Sequence, residues 1–262
     1  MKRLAVNLEK ATYQIPRSDD VEFAALSDKG MVREKNEDSF GIISDNKLPA
    51  VFIIADGMGG HNSGEVASKL AVDFAKDAIT HLPFASEPNK TLDSICSVMK
   101  SANTEVLSAA NESQENSGMG TTMLVSVIHN GNLYVAHAGD SRAYLIRNQS
   151  ISQLTKDHSY IEELVSKGTL TREEAENHPN RHLITRALGC SEELIPDTYS
   201  CSLEPEDIIL LCTDGLSNML NDLEMMECLL SSDSLLKACN RLIQNANTKG
   251  GEDNATVILI KN

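Results

Sequence analysis

Four apolar runs in this chain meet an aspartate at one end. Val51-Phe52-Ile53-Ile54-Ala55 leads into Asp56-Gly57, and Ile208-Ile209-Leu210-Leu211-Cys212-Thr213 leads into Asp214-Gly215. Tyr134-Val135-Ala136-His137-Ala138-Gly139 leads into Asp140, and Asp253-Asn254 stands just before Ala255–Ile260. Short runs of this kind bounded by turn-forming residues read as buried strands. Each Asp-Gly taken alone is a common turn. The set constrains the fold more tightly. An antiparallel strand starts beside the point where its neighbour stops, so Asp253 at a strand start can lie beside Asp56 and Asp214 at strand ends. The expectation is several carboxylates on one rim of a sheet. Two carboxylates about 4 Å apart repel by about 4 kcal/mol at an effective dielectric of about 20. So dense a cluster is unfavourable without a cation. With oxygen ligands and no His or Cys among them, Mg²⁺ or Mn²⁺ suits it better than Zn²⁺.

The remaining pattern places these strands among others and among helices. Further strands are expected at 23–27, 40–44, 121–129, 132–137, 143–147 and 198–203, with the apolar runs at 50–55, 208–212 and 255–260. Asn130-Gly131 between two of them is a type I′ hairpin signal. Glu204-Pro205-Glu206-Asp207 reads as a turn. Val66, Leu70, Phe74 and Ala78, with Ala67, Ala71 and Ile79 beside them, form one face of a helix that Asn62 and Glu65 would cap. A second helix spans about 91–110, with Leu92, Ile95, Met99, Ala102 and Val106 on one face, and two more cover about 222–230 and 234–247. Residues 155–187 are polar, with short helical pieces and a capping box at Thr171-x-x-Glu174, and read as an insertion over the core. Residues 1–20 lack a period and read as an arm or extension, leaving 21–262 as one domain. Strands grouped in hairpins and helices arriving in pairs suggest packed sheets with helices on their outer faces.

Composition narrows the partners. The formal net charge of −15 repels the phosphate backbone and anionic lipid, so no nucleic acid and no membrane insertion are expected. No apolar run has the length of a membrane span, and no leader is read at the start of the chain. The six cysteines show neither C-x-x-C nor metal-ligand spacing and suggest a reduced, cytoplasmic protein.

Between two of the strands lies Ser27-Asp28-Lys29-Gly30-Met31-Val32-Arg33-Glu34-Lys35-Asn36-Glu37-Asp38, which offers carboxylates and a guanidinium fork suited to a phosphoryl group. Arg33-x-x-Asn36-Glu37-Asp38, then Asp56-Gly57-Met58-Gly59-Gly60, then Gly118-x-Gly120-Thr121-Thr122 resemble the protein phosphatase 2C (PPM) family. Gly139-Asp140-Ser141-Arg142, Asp214-Gly215 and Asp253-Asn254 follow in the family's order, so the resemblance spans about 23–260. Gly59-Gly60-His61 and Leu183–Gly189 are similar to its bacterial branch.

The resemblance implies an α+β fold, a four-layer αββα sandwich with two antiparallel sheets flanked by pairs of helices. It implies that Asp56 bridges two Mn²⁺ or Mg²⁺ ions, that Asp214 and Asp253 complete the first site, and that the Gly57 carbonyl binds the second ion. Glu37 would reach that second ion through water, with Asp38 in support, and Arg33 would hold substrate phosphate. Asp140 would join Asp214 at a third, weaker metal site, and 155–187 would be the flap beside the cleft. The implied activity is protein-serine/threonine phosphatase, with a metal-activated bridging hydroxide attacking phosphorus in line and no phosphoenzyme. The implied partners are phosphorylated proteins, including a Ser/Thr kinase and its targets, or alternatively a phosphoserine protein of a partner-switching pathway. A monomer is expected. Where some members carry a histidine two residues after the bridging aspartate this chain has Met58, which leaves the general acid to His61 or metal-bound water. Asn218 stands where some members have a third-site aspartate.

Rival classes fit less well. None of the cysteines is followed by the C-x₅-R arginine of Cys-based phosphatases, and Gly139-Asp140-Ser141-Arg142 is not the G-D-x-H-G of calcineurin-like enzymes. A non-catalytic phosphoprotein-binding homologue would be expected to lose metal carboxylates, which are all present here.

Overall fold

Continuous apolar strands require cover on both faces, and this chain supplies it by stacking two sheets and lining each with helices. The computed structural model describes residues 12–14, 21–44, 48–59, 63–82, 84, 88–112, 114–176 and 178–262. In chain order the strands are β1 (Thr12–Gln14), β2 (Glu22–Asp28), β3 (Asp38–Ile43), β4 (Ala50–Met58), β5 (Gly120–Thr121) and β6 (Met123–His129). They continue with β7 (Asn132–Ala138), β8 (Arg142–Arg147), β9 (Ser150–Gln153), β10 (Asp197–Ser202), β11 (Ile208–Cys212) and β12 (Ala255–Lys261). The helices are α1 (Ser63–Thr80), α2 (Pro88–Glu112), α3 (Tyr160–Ser166), α4 (Arg172–Glu176), α5 (Asp214–Ser217), α6 (Asp222–Leu230) and α7 (Leu235–Thr248).

One sheet runs β1-β2-β12-β11-β8-β9 and the other β10-β7-β6-β4-β3, with β5 paired to the end of β4, and the pairings are antiparallel. Successive side chains of a strand point to opposite faces. On β4, Phe52 and Ile54 enter the core between the sheets with Phe23, Leu211 and Ile258, while Val51 and Ile53 pack under α1 and α2. On the far side, Leu210, Val257 and Leu259 meet Met225, Leu242 and Ile243 of α6 and α7. Three apolar interfaces therefore separate four layers, which is the expected α+β sandwich. Among the described residues no helix is long and apolar enough to cross a membrane.

Several local expectations change in detail. The face of α1 that packs on the sheet is Ala67, Ala71, Ala75 and Ile79, whereas Val66 is 41% exposed. Small side chains let the helix axis approach the sheet, and the bulkier Leu70 and Phe74 flank the contact. The expected cap at Asn62 and the residue His61 lie outside the described residues. Of the N-terminal arm, Thr12–Gln14 pair with Phe23–Ala25 at the edge of the first sheet. Strand β9 was not legible. It follows a hairpin at Asn148-Gln149, both at positive φ, where glutamine gives no turn signal. By contrast, Asn130 and Gly131 take the positive φ that the Asn-Gly signal predicts, and Thr171 and Glu174 form the predicted capping box. The 204–207 turn joins strands of different sheets, carrying the chain from β10 across to β11.

The rings of Phe23 and Phe52 meet edge to face across the two sheets, with centroids 5.3 Å apart. Phe52→Ala should cost about 3–5 kcal/mol in urea unfolding. A loss under about 1 kcal/mol would show that this contact does not hold the layers together.

Candidate active site

Asp38, Asp56, Asp140, Asp214 and Asp253 converge at one mouth of the sandwich, and both sheets supply them. Asp56 feels the charges of all four others. This corrects the expectation of a single rim. Asp56 sits on β4 in one sheet, Asp214 and Asp253 flank β11 and β12 in the other, and Asp140 lies in the crossing from β7 to β8. Asp38 opens β3 as the register partner of Asp56. Nor does Asp56 end its strand, because β5 pairs with Gly57 and Met58 and prolongs β4 past it.

Glycine follows Asp56 and Asp214 for a reason other than a turn, since neither Gly57 nor Gly215 has positive φ. A Cβ on Gly57 would run into the Gly64 carbonyl at the start of α1, and one on Gly215 into the Asn254 carbonyl. Only glycine lets these backbones approach.

Hydroxyl and amide groups hold the carboxylates in place across the gap. Thr213 Oγ1 and Thr256 Oγ1 donate to Asp38 Oδ2 at 2.8 and 2.6 Å, tying the start of β3 to the opposite sheet. The Asp56 N–H donates to Thr122 Oγ1 at 2.9 Å, and Thr122 N–H returns to the Asp56 carbonyl at 2.8 Å. This exchange explains why the single strand expected at 121–129 breaks at Thr122 into β5 and β6. Asn254 accepts from the Glu37 N–H and donates to the Lys29 and Lys35 carbonyls, so the Arg33 loop is seated on the start of β12. Sequence reasoning had Thr122 and Asn254 in motifs without seeing the roles of their side chains, and it missed Thr213 and Thr256 as supports. Nothing in their residue types separates them from ordinary strand residues.

Burial, then mutual repulsion, raises the acids. Burial pushes the Asp38 carboxyl up to about 7 against the two threonine hydrogen bonds, with Asp214 and Asp253 adding to the rise. Burial, Asp214 and Asp157 push Asp140 up to about 8. Asp56 rises well above the carboxylate range through burial and then the charges of Asp38, Asp214, Asp140 and Asp253. Asp214 is raised by burial and Asp253, opposed by a hydrogen bond with Asp56 and by His182 of the 155–187 segment. Burial also raises Glu37, with Arg33 opposing. Among the described residues, Asp38 Oδ1, Asp140 Oδ1 and Asp214 Oδ1 are shielded from solvent and have no hydrogen-bond partner. Orphaned carboxylate oxygens in an all-oxygen nest are the donor set that hard divalent cations take.

The other expected residues fall around this nest. Arg33 is at the exposed rim, its Nη2 2.7 Å from Asp253 Oδ2. Asn218 donates to Asp214 Oδ2 at 3.0 Å, so its amide does face the place where a further aspartate was looked for. Met58 is half-buried at the end of β4. The 155–187 segment carries α3 and α4 and closes at its root through Ser159 opposite Ile184, and by Tyr160 N–H to the Leu183 carbonyl at 2.8 Å.

The chain is similar to known proteins over most of its length. The family model for protein phosphatase 2C matches residues 31–253. The serine/threonine phosphatase stp of Listeria innocua is 38% identical over 90% of this chain and 93% of its own length. The structure of the S. agalactiae serine/threonine phosphatase superposes with a TM-score of 0.87 at 34% identity, covering 92% of this chain and 99% of that one. The catalytic domain of the serine/threonine protein phosphatase PstP, solved in complex with two manganese ions, superposes with a TM-score of 0.80 at 33% identity, covering 92% and 97%.

The raised acids give metal-free protein a pH dependence. Burial holds the Asp38 carboxyl up to about 7 and that of Asp140 up to about 8 in the fold, well above the ordinary aspartate value of 3.8. Held above their unfolded value, they stabilise the fold while protonated, and that contribution is lost as pH rises from about 4 through 7 to 8. The melting temperature in excess chelator should therefore fall between pH 5 and pH 8, and fall less in Asp38→Asn. Added Mn²⁺ should raise it more at pH 8, where the ligands are deprotonated. A flat profile for both proteins would show that these carboxyls titrate normally.

Proposed function

The chain belongs to the protein phosphatase 2C family and is a protein serine/threonine phosphatase, and from that premise we propose a two-metal site centred on Asp56 that hydrolyses phosphoserine and phosphothreonine in proteins. The observation that carries this reading is the position of Asp56 among four other carboxylates, three of which hold an orphaned oxygen. Asp56 would be shared by two Mn²⁺ or Mg²⁺ ions, with Asp214 and Asp253 completing one site and Glu37 and the Gly57 carbonyl serving the other. Asp38 supports the nest from β3, and Asp140 with Asp214 would hold a third ion weakly, because Asn218 brings an amide rather than a charge. Bound in this nest, the cations would supply positive charge to the phosphoryl oxygens and make an attacking water acidic near neutral pH.

The chain's own residues do the rest. Arg33 is half exposed and paired with Asp253, an arrangement that contributes little in water. With Asp253 committed to a cation, the guanidinium fork of Arg33 would be free to take two phosphoryl oxygens at the rim. The segment carrying His182, whose charge is felt at Asp214, would form the flap of a catalytic domain spanning 21–262. Leaving-group protonation would fall to metal-bound water or to His61, which lies outside the described residues. Phosphoserine and phosphothreonine in proteins are kinase products, so the enzyme would reverse a Ser/Thr kinase. The free cysteines suit a reducing, cytoplasmic setting.

Phosphate release from Ser-, Thr- and Tyr-phosphorylated peptides tests the whole reading. Release from the first two with Mn²⁺, and none in chelator, is expected. Undiminished hydrolysis in chelator would exclude the two-metal site. Asp56→Asn should leave the protein folded while lowering kcat on an aryl phosphate far more than tenfold. Retention of over about a tenth of wild-type kcat, a loss under about 1.4 kcal/mol, would remove Asp56 from the shared position. Arg33→Ala should raise KM about tenfold and leave calorimetric Mn²⁺ affinity nearly unchanged. A large drop in Mn²⁺ affinity would mean that Arg33 organises the carboxylates.

A further inference from the structure

His158 stands where the root of the flap meets the turn that carries Asp140. His137, His158 and Asp197 each place one potential ligand atom within 4.8 Å of the others, a grouping that suggests a second kind of metal site. Ring geometry opposes it. The two imidazoles stack with centroids 4.6 Å apart and planes 6° from parallel. An imidazole binds a metal through an in-plane nitrogen lone pair, and two parallel, stacked planes share no point for one ion. The positive group already present is Arg186, whose Nη1 donates to Asp197 Oδ1 at 2.6 Å and to the Ile195 carbonyl at 2.7 Å.

The bonds around His158 describe a joint instead. Its Nδ1 accepts from the Gly139 N–H at 3.1 Å, and its own N–H donates to the Gly139 carbonyl at 3.1 Å. Its carbonyl accepts from Thr185 N–H at 2.8 Å, at the far end of the flap root. A backbone N–H can only donate, so Nδ1 accepts. Nε2 lies 3.0 Å from Arg186 Nη1 and 3.3 Å from Asp197 Oδ2, and since Arg186 Nη1 has only two hydrogens, directed at Asp197 and Ile195, the ring proton on Nε2 is left to Asp197. Burial lowers the pKa of the ring, and the Arg186 charge adds to the fall against the pull of Asp197. The preceding residue, Asp157, takes the Arg142 guanidinium through Nε and Nη2, the latter at 2.7 Å. Residues 157 and 158 thus grip the chain on both sides of Asp140.

We propose that His158 is a positioning residue that couples the flap to Asp140: one edge of its ring fixes the Gly139 amide, the other leans on the Asp197–Arg186 pair at the flap root. A phosphoprotein pressing on the flap would thereby adjust the Asp140 carboxylate, an effect on turnover that rests on reading Asp140 as the holder of a third cation.

The two ring edges can be separated by substitution in the full chain. Asn reproduces the Nδ1 position and Gln the Nε2 position, so His158→Asn keeps an acceptor for Gly139 whereas His158→Gln and His158→Ala do not. Exchange of the Gly139 amide should be slow in wild type and His158→Asn, and about tenfold faster in the other two. On a phosphopeptide, kcat should fall about tenfold in His158→Ala and His158→Gln and return to within about twofold in His158→Asn. Tight Mn²⁺ binding should be alike in all, and His158→Ala should add no loss to Asp140→Ala. Equal Gly139 exchange or equal kcat loss in the Asn and Ala variants would overturn the joint, as would additive losses in the double variant. Should Asp140→Ala alone leave turnover intact, the third-cation reading fails, while Gly139 exchange still decides for or against the joint.

Discussion

Like charges gathered in a cleft repel one another, and the rest of this molecule is arranged to keep them there. The attraction that opposes the repulsion is not local to the cleft. It comes from the apolar interface between the two sheets, where Phe23, Phe52 and Ile258 are wholly buried, and from the helices that cover the outer faces. Local bonds then fix direction rather than supply bulk stability. Thr213 and Thr256 reach over from one sheet to Asp38 on the other, so the carboxylates cannot separate without the sheets sliding. A net bond of this kind contributes about 1–3 kcal/mol, small beside the burial but specific in position.

The same layering explains how much of the fold could be read in advance. Strands buried on both faces are continuous apolar runs, and amphipathic helices repeat every three to four residues, so both kinds of element were legible. The pairing of strands was not. Which sheet receives β4 and which receives β11 depends on contacts between residues far apart in the chain, and short runs carry no label for either. This is why the aspartates were placed on a single rim when two facing sheets provide them. Strand β9 escaped for a local reason, since Asn148-Gln149 turns without the glycine that usually marks such a hairpin.

At the site, the charged residues were legible and their supports were not. A carboxylate at the end of an apolar run stands out because charge there is costly. A threonine inside a run does not, yet Thr122, Thr213 and Thr256 decide where the carboxylates point. The resemblance to a family supplied roles that spacing alone left open. It did not supply the flap joint at His158, because that depends on where Gly139, Thr185 and Asp197 come to lie.

One consequence of drawing the carboxylates from both sheets concerns what a damaged chain can do. Asp38 and Asp56 come from the first quarter of the sequence, Asp140 from the middle, and Asp214 and Asp253 from the last fifth. The sheet that carries Asp214 and Asp253 is not complete until Ala255–Lys261 has inserted between β2 and β11. A fragment that stops before Asp253 therefore lacks part of the centre, whichever residues it keeps. A chain cut short before its last strand loses an inner strand of one sheet, so completion of the centre and completion of synthesis coincide.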